Sequence, residues 1–468
     1  MQQRKTTEEK YNGKSGKQGE KMMKKKFLQM SAILTAVLTL TACNLTGTGN
    51  NNNNTNPSGP VNNGEISTQT VNLCEGKGGN EVQIVVPGDT ETKALSSASV
   101  KLLFELMKGN KEGNVLISPA SIDFALGMTE NGAANNTLKQ MEKTVNGGIG
   151  YEQMNGIMAY SSEKMENNTD VNWNVANSVW FKDNGMWDMN DDFLNNVVDY
   201  YHSEIYKAPF DTQTLNDINN WVKKETHEMI PEILSDIPDD AQMYLINAIA
   251  FEGEWAEKYE EEAIREGMDF TNIDNSISEV NMLCSSENRY FKLAGGQGFV
   301  KPYEGYEYSF VGILPEEGQT PAEYLDKLAA SGEDFSEAVR NAAYKDVYVR
   351  IPEFDLDYDI ELSDAYAAMG MDEPFDPEKA DFTKMMSPAF EGDFAIWIGR
   401  IIHKTHIEVD RKGTKAAAAT AVEMDVAGCA PMDEQEIYYV YLDRPFVYAI
   451  VDNETGLPIF IGCQNTMQ

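Results

Sequence analysis

The chain has 468 residues, 41% of them hydrophobic and 10% aromatic, enough for a large core, so global disorder is excluded. It carries 38 basic against 75 acidic side chains, a net charge of −37, which excludes a nucleic-acid partner bound through a basic face. Only four histidines are present (His202, His227, His403 and His406), which thins the options for acid–base or metal chemistry.

The amino end reads as an address. Lys24–Lys26 form a positive patch, and the uncharged, mostly apolar run from Phe27 to Ala42 is short for a bilayer span. A signal peptide fits better, starting at Met22 or Met23, with residues 1–21 a mis-set start or an extension before it. Its end, Leu40-Thr41-Ala42-Cys43, resembles a bacterial lipobox, in which Cys43 would take a lipid and become the mature amino terminus; the alternative is ordinary secretion. Removing residues 1–42 takes away nine basic and three acidic side chains and leaves −43, a surface that repels anionic membranes, so attachment would rest on the lipid alone. Residues 44–64 are uncharged and Asn-rich, which predicts a tether within a linker and pre-domain segment spanning 43–92.

From residue 93 onward no second linker and no fixed-period repeat appears, which predicts one domain over 93–468. Helices come first: 93–108, then 119–131 behind Ser118-Pro119, then a stretch over 215–234 that is amphipathic up to Pro231. Strands follow at 243–251, 308–315 and 346–354, and a hairpin around Asn453–Gly456 closes the chain. The class is therefore α+β with large sheets. Cys43, Cys74, Cys284, Cys429 and Cys463 fit neither a disulfide scaffold nor a zinc motif; free buried thiols or one disulfide from Cys74 are both open.

Residues 410–432 (DRKGTKAAAATAVEMDVAGCAPM) are unusual. At period two, Thr414, Ala416, Ala418, Thr420, Val422, Met424 and Val426 form one set, and every charge (Lys415, Glu423, Asp425) falls in the other. That is a strand with one dry and one wet face. Alanine is a weak strand former and a strong helix former, so composition alone favours a helix. A segment this small could still slot between existing strands, and Gly413 ahead of it supplies a hinge.

Several blocks carry a resemblance that reverses that preference. They are Asn114–Ile122 with Ala125-Leu126-x-Met128 and Gly132-Ala133; Ala176–Phe181; Ile218–Val222 with Thr226 and Ile230; Ile246–Trp255; His403–Asp410; and Asp443–Phe446 with Ile459–Gly462. In this order the chain resembles a serpin from residue 93 to 468. The resemblance implies three β-sheets, eight or nine helices and an exposed reactive-centre loop that a target protease cleaves. The loop then inserts as a new central strand and traps the acyl-enzyme. Gly413-Thr414 and Ala416-Ala417-Ala418-Ala419-Thr420 match the hinge of inhibitory members. Arg411 and Lys415 depart from it, standing where the family usually has glutamates, both expected to face solvent.

Family spacing puts the scissile bond at Ala427-Gly428, with Cys429 or Met432 as alternatives. A small apolar residue there suits an elastase-like serine protease. A papain-like cysteine protease is the next target class, and a non-inhibitory binding protein the remaining reading. Ser118, Ser121, Asn247 and His403 match the family's shutter, and Trp255 its breach. No catalytic group, metal or cofactor is expected: His403 and His406 are three apart on a strand and face opposite ways. The reading is a monomeric inhibitor, not an enzyme, lipid-anchored outside a bacterial cell.

Overall fold

The computed structural model describes residues 69–467 apart from 184, 186–187, 229, 239–240, 388–394 and 415–435, and leaves out the side chains of 174–176, 247, 248 and 250. Cys43, Ala416–Thr420, Ala427, Gly428, Cys429 and Met432 therefore lie outside the described residues.

In chain order the strands are β1 (Val71–Asn72), β2 (Val115–Ile117), β3 (Val171–Lys182), β4 (Glu204–Ala208), β5 (Met243–Glu254), β6 (Ile264–Thr271), β7 (Ile277–Leu293), β8 (Gly296–Pro302), β9 (Tyr308–Leu314), β10 (Ala343–Pro352), β11 (Phe354–Glu361), β12 (Ile402–Val409), β13 (Gly413–Thr414), β14 (Tyr438–Tyr441), β15 (Phe446–Asp452) and β16 (Pro458–Gln464). The helices are α1 (Asp89–Gly109), α2 (Pro119–Glu130), α3 (Asn135–Thr144), α4 (Tyr151–Asn167), α5 (Asp191–Tyr201), α6 (Thr212–Glu225), α7 (Pro321–Ser331), α8 (Phe335–Arg340) and α9 (Ser363–Ala368), nine among the described residues.

The main sheet runs β1-β4-β3-β5-β13-β12-β11. The other two sheets join through the long strand β7, whose first half pairs with β6 and whose last four residues pair with β8, while β10 pairs along its middle. One of them continues through β9, β15 and β16 to β2, and the other ends at β14. β15 and β16 are buried on both faces, as their unbroken apolar sequence requires, and they form the expected closing hairpin. Its turn is held by Asp452 Oδ1, which accepts from the backbone N–H groups of Glu454 (2.9 Å) and Thr455 (2.9 Å).

Helix boundaries follow local chemistry. Ser118 caps α2: its Oγ accepts from Ser121 N at 3.2 Å, and Pro119 occupies the first helical position, where no N–H is needed. The helix read over 215–234 is α6 and stops at Glu225. Thr226 ends it by accepting Ile230 N on its Oγ1 (3.1 Å), and His227 and Glu228 turn into the left-handed region (φ 50° and 69°). The apolar residues Ile230, Ile233 and Leu234 remain buried against the sheet as irregular chain, so the periodicity reported burial correctly and conformation wrongly. Residues 69–88 run along the body: β1 pairs with β4, and Val85 N donates to Gly156 O (3.0 Å).

Candidate functional site

The site lies where β5 and β12 separate at the top of the main sheet. Gly413 and Thr414 stand between them: Gly413 pairs with Glu254 and Thr414 with Gly253 on β5, while Thr414 pairs with Val409 on β12. Among the described residues, every backbone ladder between β5 and β12 runs through this two-residue strand. Gly413 is required by proximity. A Cβ there would stand 2.0 Å from Gly253 O and 2.8 Å from Glu254 Cα, both backbone atoms.

The tight turn that delivers β13 is built by Asp410. Its Oδ1 accepts from Lys412 N (2.7 Å) and Gly413 N (3.0 Å), and its own N–H donates to Gly413 O (3.0 Å). Each of the three carbonyls before Gly413 is held from the segment after β5. Trp255 N donates to Lys412 O (2.9 Å), Trp255 Nε1 to Asp410 O (2.9 Å), and Tyr259 N to Arg411 O (3.3 Å). Trp255 is fully buried and stacks on Tyr303 at 4.7 Å between ring centroids. Tyr303 Oη shares a 2.6 Å hydrogen bond with Thr414 Oγ1, and burial pushes the Tyr303 hydroxyl far up, keeping it protonated. Arg411 is exposed and directs Nε to Glu353 Oε1 (3.4 Å), so its solvent placement agrees with the sequence expectation.

Thr414 is buried, on the same face as His403, Thr405, Ile407 and Val409 of β12. Ile402, Lys404, His406 and Glu408 occupy the half-exposed face. The dry set read from Thr414 onward therefore starts in phase with the sheet; its later members lie outside the described residues. His403 and His406 do face opposite ways, His406 Nδ1 lying 2.9 Å from Asp357 Oδ1.

Beneath the strands, Ser118 and His403 meet. Ser118 N donates to His403 Nε2 (3.0 Å), and Ser118 Oγ donates to Ile459 O (2.8 Å) while accepting from Ser121 N. Nε2 thus carries a lone pair and the imidazole is neutral; burial holds its pKa down to about 3. Thr405, one alternation on, donates to Leu116 O (3.1 Å). Asn247 pairs with Asn177 across β5 and β3, and its side chain lies outside the described residues. The structure brings Ser118, Ser121 and His403 into one cluster, and Gly413, Thr414 and Trp255 into another.

Tyr303, Asp410 and Glu353 were missed from sequence. Asp410 had a signal, a turn-forming Asp three residues ahead of a Gly; Tyr303 and Glu353 come from distant strands and had none. Cys74, Cys284 and Cys463 are free thiols, which leaves no disulfide among the described cysteines.

A protein-family model described as serpin (serine protease inhibitor) matches residues 93–466. The chain belongs to the serpin family. This serpin is 29% identical over 384 residues to the leukocyte elastase inhibitor of Xenopus tropicalis, covering 79% of this chain and 98% of that one. It is 28% identical over 405 residues to the neuroserpin of Mus musculus, covering 81% and 93%. Among solved structures it matches the thermophilic serpin tengpin in the native state, with 38% identity and a TM-score of 0.77, covering 86% of this serpin and all of tengpin. The serpin fold expected from the sequence is therefore the fold of this chain.

Proposed function

We propose that this serpin is a suicide-substrate inhibitor of elastase-like serine proteases, acting by insertion of residues after Thr414 into the main sheet. The observation that carries the reading is β13 itself: the hinge's first two residues already make strand pairs with both neighbours. Carried on in the same register, an inserting strand would set Ala416 between Phe251 and Ile407, and Thr420 between Asn247 and His403. Small residues are what such a passage admits, and each new residue adds backbone hydrogen bonds to two strands.

Chemically, the protease serine would attack the Ala427 carbonyl. The Ala427–Gly428 amide breaks, the new amine of Gly428 leaves with a proton from the protease's base, and an ester holds the protease on Ala427. Insertion faster than hydrolysis of that ester leaves the protease trapped. The small side chain of Ala427 supports an elastase-like pocket, and the leukocyte elastase inhibitor relatives support the same class. Cys43 lipidation, residues 44–64 acting as a tether and a place outside a bacterial cell complete the reading, with the protein a monomer on a lipid anchor.

The test mixes the protein with neutrophil elastase and separates the products on a denaturing gel. A boiling-stable complex with a released peptide beginning at Gly428 is expected. Quantitative cleavage with no complex refutes the inhibitor reading.

A further inference from the structure

Below Trp255 lies a buried ion pair that the insertion mechanism does not by itself call for. Lys301 of β8 is 1% exposed and Glu287 of β7 is 8% exposed, and Lys301 Nζ stands 3.0 Å from Glu287 Oε1. The same ammonium donates to Glu257 O (3.3 Å) and sits 4.5 Å from the ring centroid of Tyr259 and 5.3 Å from that of Trp255. Glu287 Oε1 also accepts from Ser285 Oγ (2.7 Å), which shares a hydrogen bond with Tyr259 Oη (3.2 Å). One cation therefore touches residues 255, 257 and 259. The backbone and indole donors of that same segment hold the carbonyls of Asp410, Arg411 and Lys412.

A buried ion pair seldom stabilises a fold more than apolar side chains of similar volume would. Its directional bonds and ring contacts do fix where neighbouring groups point. We propose that Lys301, held by Glu287, is a positioning residue for loop insertion: it sets the Trp255–Tyr259 segment so that the turn over 410–412 starts the inserting strand in one register. This rests on the insertion mechanism proposed above.

The test uses the full protein and no particular target. The loop is nicked with trace thermolysin, and the rate at which the nicked protein gains thermal stability reports insertion. Lys301→Met/Glu287→Leu removes both charges together. We expect it to unfold within a few degrees of the parent before nicking and to insert at least about fivefold more slowly, the effect of losing one ordinary hydrogen bond. Lys301→Arg, which keeps the charge and the ring contacts, is expected to insert at the parent rate. Should the double variant not fold, Ser285→Ala cuts only the link from Glu287 to Tyr259, and a slowed insertion is again expected. Parent-like insertion in the double variant, or in Ser285→Ala where that stands in for it, overturns the inference and leaves the inhibitor reading intact. A parent that gains no stability on nicking overturns both.

Discussion

Gly413→Ala tests the hinge most directly. The added methyl would lie 2.0 Å from Gly253 O and 2.8 Å from Glu254 Cα. Because both are main-chain atoms, no rotamer change makes room; β13 must move away from β5 by about 1.5 Å to reach an ordinary contact. That separation breaks the pairing of Gly413 with Glu254 and of Thr414 with Gly253. At about 0.5–1.5 kcal/mol for each net hydrogen bond, the paired turn loses about 1–3 kcal/mol. If that turn nucleates insertion, the step slows roughly 5- to 150-fold. The competing hydrolysis of the acyl-enzyme is unchanged, so the outcome shifts from trap to turnover. The assay titrates elastase with the variant and reads, on a denaturing gel, the ratio of cleaved inhibitor to complex. Gly399→Ala is the control, since a Cβ there meets nothing within 4 Å. A Gly413→Ala protein that traps elastase as efficiently as the parent would refute the reasoning, because insertion would then not begin from this pairing.

Three further outcomes are expected. Lys415→Glu would place a third carboxylate between Glu252 and Glu408 in the inserted strand, costing about 0.2–1 kcal/mol per opposed pair; complex yield should fall, and high salt should restore it. Trp255→Phe keeps a ring against Tyr303 but drops the indole donor to Asp410 O, so insertion should slow by about fivefold with the uncleaved fold intact, read by circular dichroism. His403 has its pKa depressed to about 3 by burial, against about 6.5 when unfolded, so the unfolded state binds the extra proton between those values. Stability is then full above pH ~6.5 and falls as pH drops towards 3, by up to about 1.4 kcal/mol per pH unit. His403→Gln should flatten that slope in urea unfolding from pH 7 to 4; the raised pKa of buried Glu130 has the opposite sign and cancels in the comparison.

Much of the fold was legible because its signals are local. β15 and β16 announce themselves by unbroken apolar runs, and α2 by Ser118-Pro119. α6 was over-extended because Ile230, Ile233 and Leu234 keep a helical spacing that serves burial, while Thr226 and the left-handed His227 and Glu228 end the helix. At the site, Gly413, Thr414 and Trp255 came from matching the family's blocks, and composition alone favoured a helix there. Tyr303, Lys301 and Glu287 could not be found that way, since their roles come from strands far apart in sequence meeting beneath one turn.

Why the turn should be held so firmly follows from the period of a strand. Thr414 is on the buried face opposite Val409 because the turn over 410–413 has one fixed length and shape. A slip of one residue would exchange the two faces of everything inserted after it. The alanines would turn to solvent, and Lys415, Glu423 and Asp425 would face a core lined by Ile249, Phe251, Ile407 and His403. Burying unpaired charges costs several kcal/mol each, more than the added backbone bonds of a short strand return. Insertion in the wrong register would therefore stall while the acyl-enzyme hydrolyses. On this argument the hinge clamp matters for the phase it imposes as well as for the bonds it contributes. A perturbation of Trp255, Lys301 or Gly413 should then show itself in the ratio of trapped to released protease before it shows in the melting temperature.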